Sequence, residues 1–177
     1  MGYDSLEEID LVLSTFDPLR ASNYIELHKK FQNSKKGLLN IQNNDQKCFL
    51  WCVLAHLYPI NVRNHPELVS KYTDIAHELD LTDCSWPMTI DSIGNFEVRN
   101  NFSINVFGLN EKGDKVIPVR ISTNSDKQAI RTIDLLYIRT DDNSHYVLIK
   151  DLSRLVRSQV TAHHGVHFIC RRCLRFC

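Results

Sequence analysis

Within a few residues the chain turns from a polar run to an apolar one. Asn40-Ile41-Gln42-Asn43-Asn44-Asp45-Gln46-Lys47 leads into Cys48-Phe49-Leu50-Trp51-Cys52. Phe49, Val53 and Leu57 then recur at helical spacing, with Leu50 and Leu54 beside them, and Pro59 stops the run. The pattern predicts a loop feeding a short buried helix of about three turns. Asn43, Asn44 and Asp45 are capping residue types, so the helix is expected to start near Asp45 or Gln46, with Cys48 in its first turn. There, unpaired backbone N–H groups and the positive end of the helix dipole stabilise a thiolate, the form of cysteine that attacks. Taken alone, a cysteine before an apolar run is more simply a core residue, so the assignment needs a second group.

The chain has 177 residues, 43% hydrophobic and 24% charged, which suits one globular domain with a small appendage. Lysine and arginine total 21 and aspartate and glutamate total 21, so net charge argues against a basic nucleic-acid surface. No apolar run reaches the ~18 residues of a membrane span, and the start has no signal-peptide core. An intracellular chain, cytoplasmic or nuclear, is the expectation. Its six cysteines are then free thiols or metal ligands rather than a disulfide framework.

Residues 1–36 read as an N-terminal helix carrying Leu6, Ile9, Leu13 and Phe16, followed after Pro18 by an extended arm with Tyr24, Ile25 and Leu27. Lys29, Lys30, Lys35 and Lys36 belong to a solvated basic loop. In the main body, 37–160, the spacing of Leu68, Val69, Tyr72, Ile75, Ala76 and Leu79 predicts an amphipathic helix opened by Pro66. One more helical turn is expected between Ile90 and Phe96. From Phe102 the period changes to two: Ile104 and Val106, a polar turn over 108–113, then Val116, Pro118 and Ile121 predict a β-hairpin. Residues 133–138 form a nearly continuous apolar strand, and 145–150 the last clear one. Helices first and antiparallel strands afterwards describe an α+β domain, N-terminal helices packed on an antiparallel sheet.

The second group is His145, at the head of that last strand after an acidic turn. On its own it reads as a surface histidine. Paired with a cysteine at a helix start, in this chain order, it has the arrangement of a papain-like cysteine hydrolase.

These blocks together, Asn-Ile-x-Asn-x-Asp-x-x-Cys-Phe-x-Trp-Cys at 40–52, His-Tyr-x-x-Ile-Lys-Asp-Leu at 145–152 and Cys-x-x-Cys-Leu near the end, carry a resemblance. Over about residues 24–177 the chain resembles the papain-like cysteine protease of Maverick/Polinton-type mobile elements. It also resembles the viral tegument-like deubiquitinases related to the herpesvirus tegument protease. The resemblance implies a papain fold, Cys48 as nucleophile and His145 as general base. Tegument proteases place an acidic residue two positions before the histidine, where this chain has Asn143, so an amide replaces the carboxylate. Same-face residues two apart on a strand lie about 7 Å apart, within reach of one polar contact. Asp151, six residues along, is about 20 Å away, whereas Asp141 and Asp142 stay open as alternatives if the turn folds back.

Papain-like sites add a side-chain amide to the backbone N–H of the cysteine to hold the oxyanion. Gln42, Asn43, Asn44 and Gln46 qualify by type, with Asn43 favoured and Gln42 next; the competing role is helix capping. The expected activity is deubiquitination, hydrolysis after the C-terminal glycine of ubiquitin, without a catalytic cofactor. Trp86, Phe96 and Tyr146 are candidates for lining the channel that takes the ubiquitin tail.

Residues 161–177 hold Cys170-x-x-Cys173, which looks like the first knuckle of a zinc finger. His163, His164, His167 and Cys177 are the available further ligands, at spacings that fit no standard pattern. The resemblance implies that the natural protein continues beyond them. A structural zinc there is the one metal expectation. The alternatives from other classes are a zinc-knuckle nucleic-acid module of a mobile element and a cysteine protease acting on a ubiquitin-like modifier or a polyprotein.

Overall fold

The computed structural model describes residues 24–32, 37–124, 131–160 and 168–175. The expected N-terminal helix and four of the candidate zinc ligands, His163, His164, His167 and Cys177, lie outside them. Its element order is β1 (Leu38–Leu39), α1 (Cys48–Leu57), α2 (Ile93–Asn100), β2 (Ser103–Leu109), β3 (Val116–Arg120), β4 (Thr132–Arg139), β5 (Ser144–Ile149) and α3 (Leu152–Val160). Helices on a five-stranded sheet make it α+β, and the strand order is β1-β5-β4-β2-β3.

The apolar run after Cys48 folds as predicted into α1, whose residues 48 to 55 are all buried. A helix apolar all round has no solvent face to keep, so it sits inside the domain, packed against β5. Its start is later than capping residues alone suggest. Cys48 is the first helical residue, because Asp45 spends its carboxylate on Lys47 N and Trp51 Nε1 and holds the loop open ahead of the helix. Pro59 lies beyond the last turn, which Tyr58 closes by donating its N–H to Leu54 O.

The sheet is mixed, which corrects the expectation of an antiparallel one. β2 pairs antiparallel with β3, but β4 returns along the other side of β2 and runs parallel to it, Ser103 beside Thr132 and Phe107 beside Leu136. The hairpin thus puts β3 at one edge, and β2, β4 and β5 form the interior of the sheet, β4 and β5 pairing antiparallel. Both faces of these strands are covered, which is why they read as continuous apolar runs. Ile104, Val106, Ile133, Leu135, Tyr146 and Leu148 face α1 and α2; Phe107, Leu136, Val147 and Ile149 face α3, Phe31 and Leu174. Across the first face, the buried carboxylate of Glu97 on α2 receives Arg120 of β3 at 2.7 Å and the backbone N–H of Ile104. Losing one partner of such a buried pair costs on the order of 3–5 kcal/mol.

Two further expectations change. The segment after Pro66 is not one amphipathic helix but 3₁₀ turns at Val69–Lys71 and Thr73–Glu78. Gln42 N donates to Glu67 O, and Gln42 bridges Leu68 in parallel, so the polar loop holds Leu68 extended where a helix would run. Tertiary pairing overrides local propensity there. α3 is an addition: Leu152, Leu155 and Val156 carry a helical stripe into the second cluster. Its cap is Asp151, whose carboxylate accepts from Arg154 N at 3.0 Å. Gly37 makes this junction possible. It accepts from the N–H groups of Lys150 and Asp151, has φ of +70°, and leaves no room for a Cβ, which would stand 2.9 Å from Asp151 Cβ.

Candidate active site

β1 is only two residues long and reaches Ile149 and Leu148 of β5, no further. At the next positions along that edge, the backbone of Tyr146 turns to α1 instead. Its N–H points to Cys48 Sγ at 3.5 Å, and its C=O accepts from Cys52 Sγ at 3.3 Å. One helical turn separates the two thiols, so α1 clips onto the strand by cysteines four residues apart. They differ in surroundings. Cys48 stands at the helix start, among N–H groups with no helical partner, whereas Cys52 lies one turn inside and burial pushes its thiol well up. Both thiols are buried, and at Cys52 that burial disfavours the thiolate.

The Tyr146 contact sets Cys48 against the backbone next to His145. His145 is fully buried, with Nε2 2.8 Å from Asn40 Oδ1. The orientation of the Asn40 amide is fixed from its other end, because Asn40 Nδ2 donates to Ile25 O at 2.9 Å. An amide oxygen only accepts, so Nε2 carries the imidazole proton and Nδ1 the lone pair. Nδ1 is buried and has no hydrogen-bond partner among the described residues. Burial lowers the His145 pKa to about 4, so at neutral pH the ring is an uncharged base. Tyr24 stands edge-on to the imidazole, ring centroids 6.1 Å apart.

The amide that meets the histidine is therefore Asn40, the residue after β1, and not Asn143. The side-chain oxygen of Asn143 accepts from Ser144 N at 2.9 Å, and its backbone closes a turn with Thr140. Asp141 and Asp142 are exposed on that turn. Asp151 is the cap of α3, paired with Arg154. Asn40 was in the motif but stood eight residues from the cysteine, and only the antiparallel pairing of β1 with β5 brings it beside His145. Tyr24 and Ile25 belong to the arm that the sequence predicts, with nothing in it to mark them as part of the site.

Of the oxyanion candidates, Asn43 is buried but aims its Nδ2 at Asp45, at the backbone carbonyl and, 3.0 Å away, at the carboxylate. Its amide nitrogen braces the loop. Gln42 is exposed and is held by its backbone to Glu67 and Leu68. The donor that the fold itself supplies beside the sulfur is the N–H at the start of α1. Phe96 and Tyr146 do not line a channel; both are core residues, the Tyr146 hydroxyl donating to Met88 O. Trp86 is partly buried and packs on the same cluster.

The C-terminal pair of thiols sits on a tight turn. Cys170 N donates to Arg175 O and Leu174 N to Cys170 O, both at 2.8 Å, and Leu174 takes φ of +53° after the second cysteine. This turn is docked on the domain and is not a separate finger: Leu174 is buried in the second cluster, and Arg171 pairs with Asp134 at 2.9 Å. Cys170 and Cys173 fit half of a tetrahedral zinc shell by residue type. Among the described residues no group of three or more His, Cys, Asp or Glu could hold a metal. Nor is any described helix long and apolar enough to cross a membrane. No family model, curated protein or solved structure matches the chain.

Proposed function

We propose that the chain is a papain-like thiol hydrolase that removes ubiquitin, with Cys48 as nucleophile, His145 as general base and Asn40 as the residue that positions the base. The observation that carries this reading is the state of His145. Asn40 occupies Nε2, which leaves a basic Nδ1 on a buried ring whose chain neighbour, Tyr146, meets Cys48 at a helix start through its backbone N–H. A core histidine needs no such one-sided arrangement, whereas a base that takes a thiol proton does.

In the proposed reaction, Nδ1 accepts the Cys48 proton and the sulfur attacks the carbonyl carbon of the C-terminal glycine of ubiquitin. The oxyanion is held by N–H groups at the start of α1. The imidazolium returns its proton to the departing lysine amine as the C–N bond breaks. Water, deprotonated by the same nitrogen, then hydrolyses the thioester and frees ubiquitin. Asn40 accepts from Nε2–H throughout and keeps the ring in the productive tautomer.

The choice of ubiquitin, and an origin related to mobile-element and viral tegument-like proteases, rests on the sequence blocks at 40–52 and 145–152. An intracellular location, cytoplasmic or nuclear, accords with that substrate. A structural zinc on Cys170 and Cys173 belongs to the same reading, and is supported by the shape of their turn. Turnover of a panel of C-terminally fluorogenic ubiquitin-like substrates tests the function. Release from the ubiquitin conjugate is expected; release only from a relative keeps the hydrolase and replaces the substrate, and no release from any member contradicts the reading.

A further inference from the structure

The arm that precedes β1 touches the site three times. Tyr24 N donates to Asn43 O at 3.1 Å, which ties the arm to the loop ahead of α1. The Tyr24 ring stands edge-on to His145, and Ile25 O holds the nitrogen of the Asn40 amide. Two residues thus reach the cysteine loop, the histidine and the residue that orients it. Tyr24 is 38% exposed, so its outer side faces solvent while its inner edge meets an imidazole with no exposure at all. It is a cover and not a core residue.

We propose that Tyr24 and Ile25 form a strap that completes the catalytic site, Ile25 fixing the His145 tautomer through Asn40 and the Tyr24 ring closing the imidazole from water. This inference rests on the hydrolase reading above. Without the Ile25 carbonyl, the Asn40 amide gains the freedom to flip, and its NH₂ would then face Nε2. The imidazole would answer by moving its proton to Nδ1, the atom that must accept from the thiol. Without the Tyr24 ring, water reaches the imidazole and stabilises its charged form. Around the ring stand Tyr24 from the arm, Asn40 from the loop after β1, Ile138 opposite on β4, and Cys48 of α1 against the adjoining backbone. Arg139 at the end of β4 and Asp141 and Asp142 in the turn after it are exposed. Burial is the dominant influence on the imidazole, so its exposure should be the quantity that titrates.

The test uses the full chain as wild type, Tyr24→Ala and Tyr24→Phe, with two readouts: alkylation of Cys48 by iodoacetamide against pH, mapped by peptide mass, and steady-state turnover of a fluorogenic ubiquitin conjugate. For Tyr24→Ala we expect kcat to fall on the order of 10- to 100-fold with KM within about twofold. The acid limb of both profiles should move up in pH by one unit or more. Tyr24→Phe keeps the ring edge and should retain wild-type values. If Tyr24→Ala does not fold, Tyr24→Gln, which keeps the length of the side chain, reads the same limb. A variant with a lower Tm but an unshifted acid limb and unchanged kcat overturns the strap and leaves the hydrolase standing. Failure of wild-type Cys48 to react faster than the other thiols removes both.

Discussion

Two polar loops lead to Cys48 and His145, and the bonds described for them differ in reach. Loop 40–47, ahead of Cys48, is tied to distant parts of the chain: Asn40 to His145 and Ile25, Gln42 to Glu67, Asp45 to the Trp51 indole. The turn before His145 closes on itself, Thr140 bonding Asn143 and Asn143 bonding Ser144. By sequence both are Asn- and Asp-rich segments of the kind that make caps and turns. The first makes bonds to distant described parts of the fold, and it carries the proposed site. Side-chain type suggests what a loop residue can do; long-range hydrogen bonding decides whether it does it.

The contrast is broken most severely at the thiols. Cys48→Ala is expected to lower turnover by on the order of 10³-fold or more, whereas Cys52→Ser retains most of it, since a serine hydroxyl can still donate to Tyr146 O. Steady-state kinetics with circular dichroism on both variants checks this, and equal losses in two folded proteins would place the nucleophile wrongly. The next effect compares the two asparagines. Asn40→Ala should reduce kcat by on the order of 10- to 10³-fold with KM little changed, and Asn143→Ala should stay within a few-fold of wild type. The reverse ranking would mean that the turn, and not the loop, orients the base.

A third effect is on stability. The His145 pKa in the folded chain, about 4, lies below that of an ordinary imidazole near ~6.5, so the unfolded chain takes up this proton first as pH falls. The contribution is complete above about pH 6.5 and disappears as pH drops towards 4, a loss of about 3 kcal/mol. Burial lowers His56 as well, in the same direction. Denaturant midpoints between pH 7 and 4.5 should therefore fall, and His145→Gln should flatten most of that fall. The smallest effect again compares the loops. Asp45→Ala loses the carboxylate held by Lys47 N and the Trp51 indole and should cost about 1–2 kcal/mol, while Asp141→Ala, exposed on the other turn, should change stability by less than about 0.5 kcal/mol.

Much of this was legible in the residues. The buried helix after Cys48, the hairpin from Phe102, and the strands that became β4 and β5 all announce themselves by period, because burial on one or both faces leaves a pattern in the chain. The stripe of α3 was present in Leu152, Leu155 and Val156 but followed directly on a strand, where one apolar run masks the start of the next. The parallel pairing of β2 and β4 leaves no local trace, since it depends on which edge the chain returns to. The 3₁₀ turns after Pro66 have the spacing of a helix and lose it to a backbone bridge with Gln42. Within the site, Cys48 and His145 stood out by chemical type and by position in their elements. Asn40 did not, as it resembles any loop asparagine until β1 is laid beside β5. Tyr24 and Ile25 act through a ring edge and a backbone carbonyl, which no residue pattern encodes.

The most direct measurement is covalent capture. Ubiquitin bearing an electrophile in place of its last glycine is incubated with the full chain at neutral pH, and the product is read by intact mass and peptide mapping. A single adduct on Cys48, absent in His145→Ala and slowed in Asn40→Ala, is the predicted result: it requires the thiolate at the start of α1, the base at Nδ1, and a ubiquitin tail set within about 3–3.5 Å of the sulfur. An adduct on another cysteine, or an equal rate of capture in His145→Ala, would contradict the account.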